Sequence, residues 1–283
     1  MLQTRLILST TSALRLRTLP CLREERRFRK RVAQPLLPPP ITVNPDQYSA
    51  VTEGGAGGST SSYFPPLSAF RTSQTDPAKL DKSHLGRFYT VDNEFYKGVM
   101  NPIQCYPPEF RQNCSTFGEV CVMIRKPFVD IKSCIEASDM KKPVIRYIIY
   151  GPPGSGKTMT MCCLAHYGFV QEYILVNVPW VKNTKESGGV VVSTVDKLAG
   201  QNEIRESDLP RYLLTKDGWE HFDPFIPVRV ENYTSQEVQT TIDYFLDRKW
   251  LQHPQAGSEF GRIELEYLST RNPLTLMKLC NFR

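Results

Sequence analysis

The feature that most constrains this chain is a glycine-rich loop that directly follows a run of apolar residues. The run covers Val144–Tyr150, and the loop reads Gly-Pro-Pro-Gly-Ser-Gly-Lys-Thr from residue 151 to residue 158. It fits the pattern G-x-x-x-x-G-K-[ST], the phosphate-binding P-loop, in which backbone N–H groups surround phosphate oxygens. A fold built around such a loop needs a buried strand before it and a helix after it.

The residues that we expect to bind a nucleotide are those of the loop itself. They are Gly151, Pro152, Pro153, Gly154, Ser155, Gly156, Lys157 and Thr158. The glycines let consecutive amides point inward, and the lysine is placed to reach the β- and γ-phosphates. The hydroxyl of Thr158 is placed to bind Mg²⁺, so this residue is also the predicted metal ligand.

The residues after the loop continue an alternation of helix and strand, which predicts an α/β fold with a parallel sheet. The predicted elements are a helix over Thr158–Tyr167 that Gly168 ends, and strands over Tyr173–Val178, Val190–Thr194 and Phe225–Val230. Pro227 cannot donate a ladder hydrogen bond, so the last of these strands should lie at an edge of the sheet or at a bend.

Helices are predicted on both sides of this core. In residues 80–142, Thr116-x-x-Glu119 is expected to open one helix and Pro127 a second. In residues 231–283, the capping box Thr234-x-x-Glu237 opens a helix, and Asn272-Pro273 opens another. Two apolar stripes at helical spacing are interpreted as packing surfaces: Val238, Ile242, Phe245, Leu246 and Trp250, then Phe260, Ile263 and Tyr267.

Charge is concentrated at the start of the chain. Residues 1–31 carry nine Lys and Arg against two Glu, whereas the whole chain has a net charge of +6, so the remainder is close to neutral. A basic, Leu- and Ser-containing start with Leu2, Leu6 and Leu14 on one helical face is typical of a mitochondrial presequence. A disordered basic arm is the alternative. The near-neutral remainder argues against a broad electrostatic surface for nucleic acid and leaves only local basic patches.

Residues 32–79 are rich in Pro, Gly and Ser and are predicted to be a disordered extension. The eight cysteines form no C-x-x-C pair, and the four histidines are not spaced from them as zinc ligands. Thiols without a disulfide or zinc pattern suit a reducing compartment. No apolar run approaches the roughly 18 residues of a membrane span.

Nothing after the loop predicts turnover of a bound nucleotide. P-loop NTPases usually hold Mg²⁺ with an acid at the end of a second apolar strand, and no run of four apolar residues after residue 158 ends in Asp or Glu. Asp130 and Asp196 are the candidates nearby, and both are interpreted as residues of solvated turns. No catalytic residue is therefore assigned. The Asn-Lys-x-Asp motif that reads guanine is absent, so the residues alone do not separate GTP from ATP.

Several stretches resemble the death-associated protein 3 family, the GTP-binding protein of the mitochondrial ribosomal small subunit. They are Cys121-x-Met123-x-Arg125-Lys126-Pro127, Ile145-Arg146-Tyr147-x-x-Tyr150-Gly151, Asp223-Pro224-Phe225-Ile226-Pro227, Asn232-Tyr233, Trp250-Leu251-Gln252-His253 and Asn272-Pro273. The resemblance covers residues 80–178 and 188–283. It implies a P-loop NTPase core of the AAA+ kind with a C-terminal helical lid, and bound GTP or GDP with Mg²⁺. It also implies that the chain assembles with the ribosomal proteins and rRNA of the mitochondrial matrix, and that it has a link to apoptosis signalling.

The chain departs from this family at one place. Family members have a long stretch between the second core strand and the next one, whereas here Asn183 is followed almost at once by Ser187. The missing region would hold the acidic strand. A shortened chain is expected to have an incomplete sheet, in which Tyr173–Val178 either finds another partner or remains an exposed edge.

The predicted domains are a presequence (1–31), a disordered extension (32–79), an N-terminal helical segment (80–142), a truncated nucleotide-binding core (143–230) and a C-terminal helical subdomain (231–283). Three functions remain open. The first is a ribosomal subunit that binds a nucleotide and acts on no other small molecule. The resemblance implies GTP as that nucleotide, and ATP is the alternative. The second is an active P-loop NTPase, either AAA+-like or an apoptosis-signalling switch. The third is a product too damaged to bind anything.

Overall fold

The computed structural model describes residues 5–10, 67–101, 106–139, 143–178, 189–197, 207–214 and 216–281. The strands are β1 (Arg5–Thr10), β2 (Phe88–Thr90), β3 (Cys121–Met123), β4 (Ile145–Tyr150), β5 (Ile174–Val178), β6 (Val190–Thr194) and β7 (Ile226–Arg229). The helices are α1 (Leu67–Phe70), α2 (Asn93–Phe95), α3 (Pro108–Phe117), α4 (Lys126–Glu136), α5 (Lys157–Val170), α6 (Pro210–Leu213), α7 (Lys216–Phe222), α8 (Ser235–Asp247), α9 (Glu259–Ser269) and α10 (Pro273–Leu279).

Five parallel strands of the described residues form the main sheet, in the order β5-β1-β6-β4-β7. The three strands predicted after the glycine-rich loop are all present, and β7, which contains Pro227, is at an edge as predicted. β4 lies between β6 and β7 and is apolar over most of its length. This is the pattern of a parallel strand that is covered on both faces.

The two faces of the sheet pack against different groups of residues. Tyr147 and Ile149 point into the larger core, which they share with α4 and α5. Ile148, the residue between them, points to the opposite face and packs with Val195 and Leu213. This alternation follows from the two-residue period of a strand, and it places β4 at the centre of the fold.

The position next to β5 is filled by the start of the chain. Ile7 of β1 lies beside Val176 of β5 on one side and beside Val191 of β6 on the other. The sequence predicted a gap or an exposed edge here, and it predicted a helix around residues 2–14. β1 is a strand because the apolar run Leu6–Leu8 is short, and unpaired backbone groups of two neighbouring strands are available to it.

The prediction that residues 1–31 form a presequence stays a prediction, since residues 1–4 and 11–31 lie outside the described ranges. The fold adds a constraint to it. Proteolytic removal of the presequence at any site between Thr10 and Arg31 would also remove β1, the strand that connects β5 to β6 in the sheet.

The segment 80–142 contains a small antiparallel sheet as well as helices. The helix predicted to begin at Thr116 is wrong, because α3 ends at Gly118 with a φ of 69°. The apolar residues that follow form β3, which pairs with β2. This short apolar run could form a helix or a strand, and its pairing with β2, about 30 residues earlier in the chain, makes it a strand. The second predicted helix is present as α4, with Pro127 in its first turn.

Two further differences concern the ends of the described core. Phe70 is buried and Arg71 pairs with Glu119, so the last part of the predicted disordered extension, residues 67–79, packs on the body. Residues 32–66 lie outside the described ranges. α5 continues past Gly168 to Val170, because its second half is buried among other apolar side chains.

The C-terminal helices begin where the sequence predicted. The Thr234 side chain accepts from the Glu237 amide, and Asn272 caps α10. The stripe on α8 is buried through Val238, Ile242 and Phe245. The stripe on α9 is not buried, because Phe260, Ile263 and Tyr267 are mostly exposed, so its interpretation as a packing surface stays a prediction.

We predict that the sheet depends on β1. Ile7→Pro removes one backbone donor and places a ring in the middle of a central strand, so it should lower the free energy of unfolding by about 3 kcal/mol or more. Ile7→Val keeps the donor and a branched side chain and should cost less. Urea denaturation of the two variants measures the difference. Equal midpoints would show that β1 is not part of the cooperative core.

A second prediction concerns His166, which is buried on α5 and stacks on Phe95 with ring centroids 4.6 Å apart. Burial lowers the pKa of His166 from 6.5 to about 4, against weaker raising effects of Asp92 and Asp76. The unfolded chain therefore binds more protons between these two values. The free energy of unfolding should fall by about 3 kcal/mol as the pH drops through this window and should level off below it.

This pH dependence is measured by comparing denaturation curves at pH 7 and pH 4.5. His166→Phe keeps the ring stacking and should flatten the dependence. His221→Gln, at an exposed position, is the control and should leave it unchanged. The same slope in the parent chain and His166→Phe would contradict a buried neutral imidazole.

Candidate functional site

The glycine-rich loop, residues 151–158, connects the end of β4 to the start of α5. Gly151, Gly154 and Gly156 have φ angles of 144°, 79° and 100°, a region that other residues rarely adopt. Space is limited as well. A Cβ on Gly151 would lie 2.2 Å from the Val230 carbonyl oxygen, and one on Gly154 would lie 2.7 Å from Asn272 Oδ1. The loop can take this path only because glycine stands at these positions.

Three carbonyl groups of the loop are held by side chains or backbone from elsewhere in the chain. Asn272 Nδ2 donates to the Pro153 oxygen at 2.9 Å, and the Leu274 amide donates to the Gly154 oxygen at 3.3 Å. Arg125 Nη1 donates to the Ser155 oxygen at 2.7 Å. In a trans peptide the following N–H points away from the carbonyl. The contacts to the Pro153 and Ser155 oxygens therefore turn the Gly154 and Gly156 amides to the opposite side, while the Ser155 amide donates to the Pro152 oxygen at 3.2 Å.

The start of α5 offers further donors. Its N-cap, Gly156, has no side chain to satisfy the first amides of the helix, and these have no acceptor within the helix itself. Ser155 is fully buried, and its hydroxyl has no hydrogen-bond partner among the described residues. A buried hydroxyl and open helix amides at one place suit an anion, since the helix N-terminus carries a partial positive charge.

Lys157 is 5% exposed, and its ammonium group lies inside the loop. Nζ donates to the carbonyl oxygens of Gly151 and Pro152, each at 2.8 Å, and it lies 3.0 Å from Asp196 Oδ2. These contacts match the three N–H donors of an ammonium group. They fix a positive charge next to the open amides.

Asp196 is a site residue that the sequence analysis assigned to a solvated turn, and that interpretation is wrong. Ile149 of β4 lies beside Thr194 of β6, so the residues two positions further on, Gly151 and Asp196, come together at the same edge of the sheet. The missing signal was the pairing of β4 with β6, which no local pattern shows. Asp130, the other candidate, lies within α4.

Arg125 is a second site residue that no local motif marked for a role. Besides the Ser155 carbonyl, its guanidinium donates to Glu237 Oε1 at 3.0 Å and to the carbonyl oxygens of Glu231 and Asn232. It also lies 4.9 Å from the centre of the Tyr233 ring. One side chain thus connects the loop to the start of α8, which is the first of the C-terminal helices.

A cavity of about 330 Å³ opens beside the loop. Gly154, Gly156, Lys157, Thr158 and Asp196 line one part of it, and its aromatic wall consists of Phe88, Phe110, Phe117, Tyr233, Tyr244 and Phe245. The volume is at the lower end of the range for small-molecule sites, and an apolar wall with a few polar groups is their usual lining. The loop therefore adjoins a chamber that suits a flat ring.

The described residues offer few other chemical sites. Among them, no group of three or more His, Cys, Asp and Glu side chains is placed to hold a metal ion. Their six cysteines are free thiols, and burial raises the pKa of Cys163 and Cys280 to about 12. No helix in these ranges has both the length and the apolar character of a membrane span.

Comparison with known proteins identifies the family. The family model of mitochondrial ribosomal death-associated protein 3 matches residues 122–187 and 182–279, which is more than half of the chain. The chain belongs to this family. The matched death-associated protein 3 segments include β4, the glycine-rich loop, Asp196 and all three C-terminal helices.

Two relatives of this chain are named small ribosomal subunit protein mS29. The protein from Bos taurus is 23% identical over 350 residues, covering 75% of this chain and 88% of the relative. The protein from Mus musculus is 23% identical over 353 residues, covering 76% and 90%. Both alignments are longer than the 283 residues of this chain, so the relatives contain segments that it lacks. The family match also breaks between β5 and β6, where the sequence analysis located the missing region.

We predict that Gly154→Ala destabilises the protein. A methyl group there would lie 2.8 Å from Leu274 Cβ and 2.7 Å from Asn272 Oδ1, with a φ of 79°. The strained backbone and the displaced helix α10 should together cost about 2 kcal/mol or more. Gly98→Ala is the matched control, since its methyl group would meet nothing within 4 Å. Chemical denaturation that ranks Gly98→Ala as the less stable variant would contradict the packing of the loop on α10.

Proposed function

We propose that this chain is a nucleotide-binding component of the mitochondrial ribosomal small subunit. Family membership and the names of the mS29 relatives support the ribosomal part. The observation that carries the nucleotide part is the loop 151–158, in which the carbonyls of residues 153–155 are bound by groups from outside the loop. Gly154, Gly156, Lys157 and Thr158 of the loop line the cavity. In this proposal the fold is a P-loop NTPase core of the AAA+ kind, and α8–α10 are its helical lid.

The residues fit a nucleotide in three respects. The loop amides and the uncapped start of α5 would hold phosphate oxygens. The aromatic wall of the cavity would stack on a base, as such side chains do in other nucleotide-binding proteins. The Thr158 hydroxyl and the Asp196 carboxylate are hard oxygen donors at the same place, which is the ligand type that Mg²⁺ prefers. GTP or GDP is favoured by the family resemblance, and ATP is the competing nucleotide.

Binding without appreciable turnover is the second part of the proposal. The resemblance places an acidic strand between the strands that correspond to β5 and β6, and β1 occupies that position. The sequence of β1, Arg-Leu-Ile-Leu-Ser-Thr, contains no acid. The attacking water therefore loses the group that usually orients it, and Mg²⁺ loses the acid that this strand usually supplies. The alternative is an active NTPase of the AAA+ or apoptosis-signalling type. One observation favours it, because the contact between Asp196 and Lys157 places an acid beside the loop.

The proposed surroundings are the small-subunit proteins and rRNA of the mitochondrial matrix, reached through the basic segment 1–31. The exposed apolar stripe on α9, formed by Phe260, Ile263 and Tyr267, is typical of a surface that is buried against another protein. The five-stranded sheet and its buried cores support a folded, assembly-competent chain over a product too damaged to bind.

Nucleotide binding is tested with fluorescent GDP and GTP, with unlabelled ATP as competitor. The parent chain should bind the guanine nucleotides, and Lys157→Ala should weaken binding at least about tenfold, because a buried charge-assisted contact to phosphate is lost. Lys216→Ala, which removes an exposed lysine, is the matched control. The proposal fails if the folded parent chain binds no nucleotide, or if Lys157→Ala binds as well as the parent chain.

Turnover is measured as phosphate release from GTP and ATP by the same proteins. We expect rates far below the roughly 1 s⁻¹ at the low end for typical enzymes. Release at ordinary NTPase rates that Lys157→Ala abolishes would establish the alternative function instead.

A further inference from the structure

Helix α9 has an inner face that is fixed by contacts to the rest of the chain. Leu265 packs on the apolar cluster that contains the buried stripe of α8. Arg262 Nη2 lies 2.6 Å from Asp243 Oδ1 of α8. A Cβ on Gly261 would lie 2.2 Å from the Gln255 carbonyl oxygen, so the helix also approaches the preceding turn closely. These contacts hold α9 in one orientation.

The outer face of α9 carries large apolar side chains that no other part of the chain covers. Phe260, Ile263, Tyr267 and Leu268 are 76%, 57%, 79% and 51% exposed. Their spacing puts them on one side of the helix, over about 10 Å of its axis. Rotating the helix to bury them would break the contacts of its inner face. The outer face is therefore a fixed apolar surface that is open to a partner.

The shape of this surface suits a helix as the partner. Apolar residues that recur at intervals of three and four form the ridges and grooves between which the side chains of a second helix pack. A partner strand would need unpaired backbone groups at an edge, and the backbone of α9 is hydrogen-bonded within the helix.

The charge beside the stripe is negative. Glu259 and Glu264 are exposed next to Phe260 and Ile263, and neither makes an ion pair with another described residue. Arg262, the one basic residue of α9, is mostly buried and paired on the inner face. A partner that covers the stripe gains most if it brings Lys or Arg to the two free carboxylates.

We propose, building on the proposed place of this chain in the small subunit, that the outer face of α9 is the docking site for a basic amphipathic helix of a neighbouring protein. The apolar side of that helix covers Phe260, Ile263 and Tyr267, and its flanking Lys or Arg side chains pair with Glu259 and Glu264. The negative charge disfavours rRNA here, because its phosphates would be repelled. A second copy of this chain is disfavoured as well, since it would bring the same carboxylates together.

The partner is identified by a photo-reactive benzophenone side chain placed at position 263 of the chain within assembled mitochondrial small subunits. Illumination should link it to one protein segment, which mass spectrometry of the digest identifies. That segment should have apolar residues at intervals of three and four, with Lys or Arg beside them. Benzophenone at position 212, where Tyr212 is exposed on α6, is the control and should not link to this segment.

The contacts are then measured with a synthetic peptide of the linked segment and the purified chain. Ile263→Asp should weaken binding at least about tenfold, since a charge replaces a central apolar contact. Ile263→Leu keeps the contact and should bind as the parent chain does. Glu264→Lys should weaken binding at least about threefold and reduce its dependence on salt. Glu220→Lys, which changes an exposed acid of α7, is the matched charge control.

The outcomes separate this docking site from the proposed function. A folded chain that does not enter the small subunit refutes the ribosomal function and the docking site together. A chain that assembles but links from position 263 to rRNA, to a second copy, to an acidic segment or to nothing overturns the docking site alone. Equal binding of the peptide by the parent chain, Ile263→Asp and Glu264→Lys overturns it in the same way.

Discussion

The parallel pairing of β4 with β6 is the interaction on which the rest of the structure depends. It sets Ile149 beside Thr194, and the chains leaving the two strands bring the glycine-rich loop and Asp196 to the same edge of the sheet. β4 is also held by β7 on its other side, which fixes the start of the loop next to Val230. The position of the candidate site follows from these two ladders.

β1 shows how the same sheet tolerates a missing region. Two parallel strands that are separated by one strand width cannot pair with each other, and their unpaired backbone groups would be costly in the interior. The six-residue strand β1, which comes from the distant N-terminal part of the chain, pairs with both. It restores the hydrogen bonds of the sheet but not the acid that the family resemblance assigns to this position. The glycine-rich loop therefore keeps its structural support although β1 supplies no acid beside it.

The C-terminal helices are tied to the loop through polar contacts. Asn272 and Leu274 hold two of its carbonyls from α10, and Arg125 holds a third while it pairs with Glu237 of α8. A nucleotide that accepts hydrogen bonds from the loop amides would polarise the same peptide groups whose carbonyls bind Asn272, Leu274 and Arg125. The loop and the helices should therefore order together, which suits a nucleotide that acts as a part of the assembled structure.

The sequence predicted those parts of the fold that local patterns determine. The loop has a complete motif, the strands around it are apolar runs between glycines and prolines, and α8 and α10 begin at clear caps. It did not predict what depends on distant partners. β1 and β3 are short apolar runs whose conformation is decided by the strands beside them, and Asp196 becomes a site residue only through the register of β6 on β4. Arg125 belonged to a family motif, but the sequence did not predict its role, because its partners lie about 30 and 110 positions further along the chain.

The central claim is that the loop 151–158 holds a nucleotide in the folded chain. Native mass spectrometry of the purified protein, supplied with Mg²⁺ and a mixture of GDP, GTP and ATP, tests it most directly. A folded species that is heavier by one nucleotide with its metal ion is expected, and the base is identified from the released fragment. A folded species at the mass of the bare chain under these conditions would contradict it.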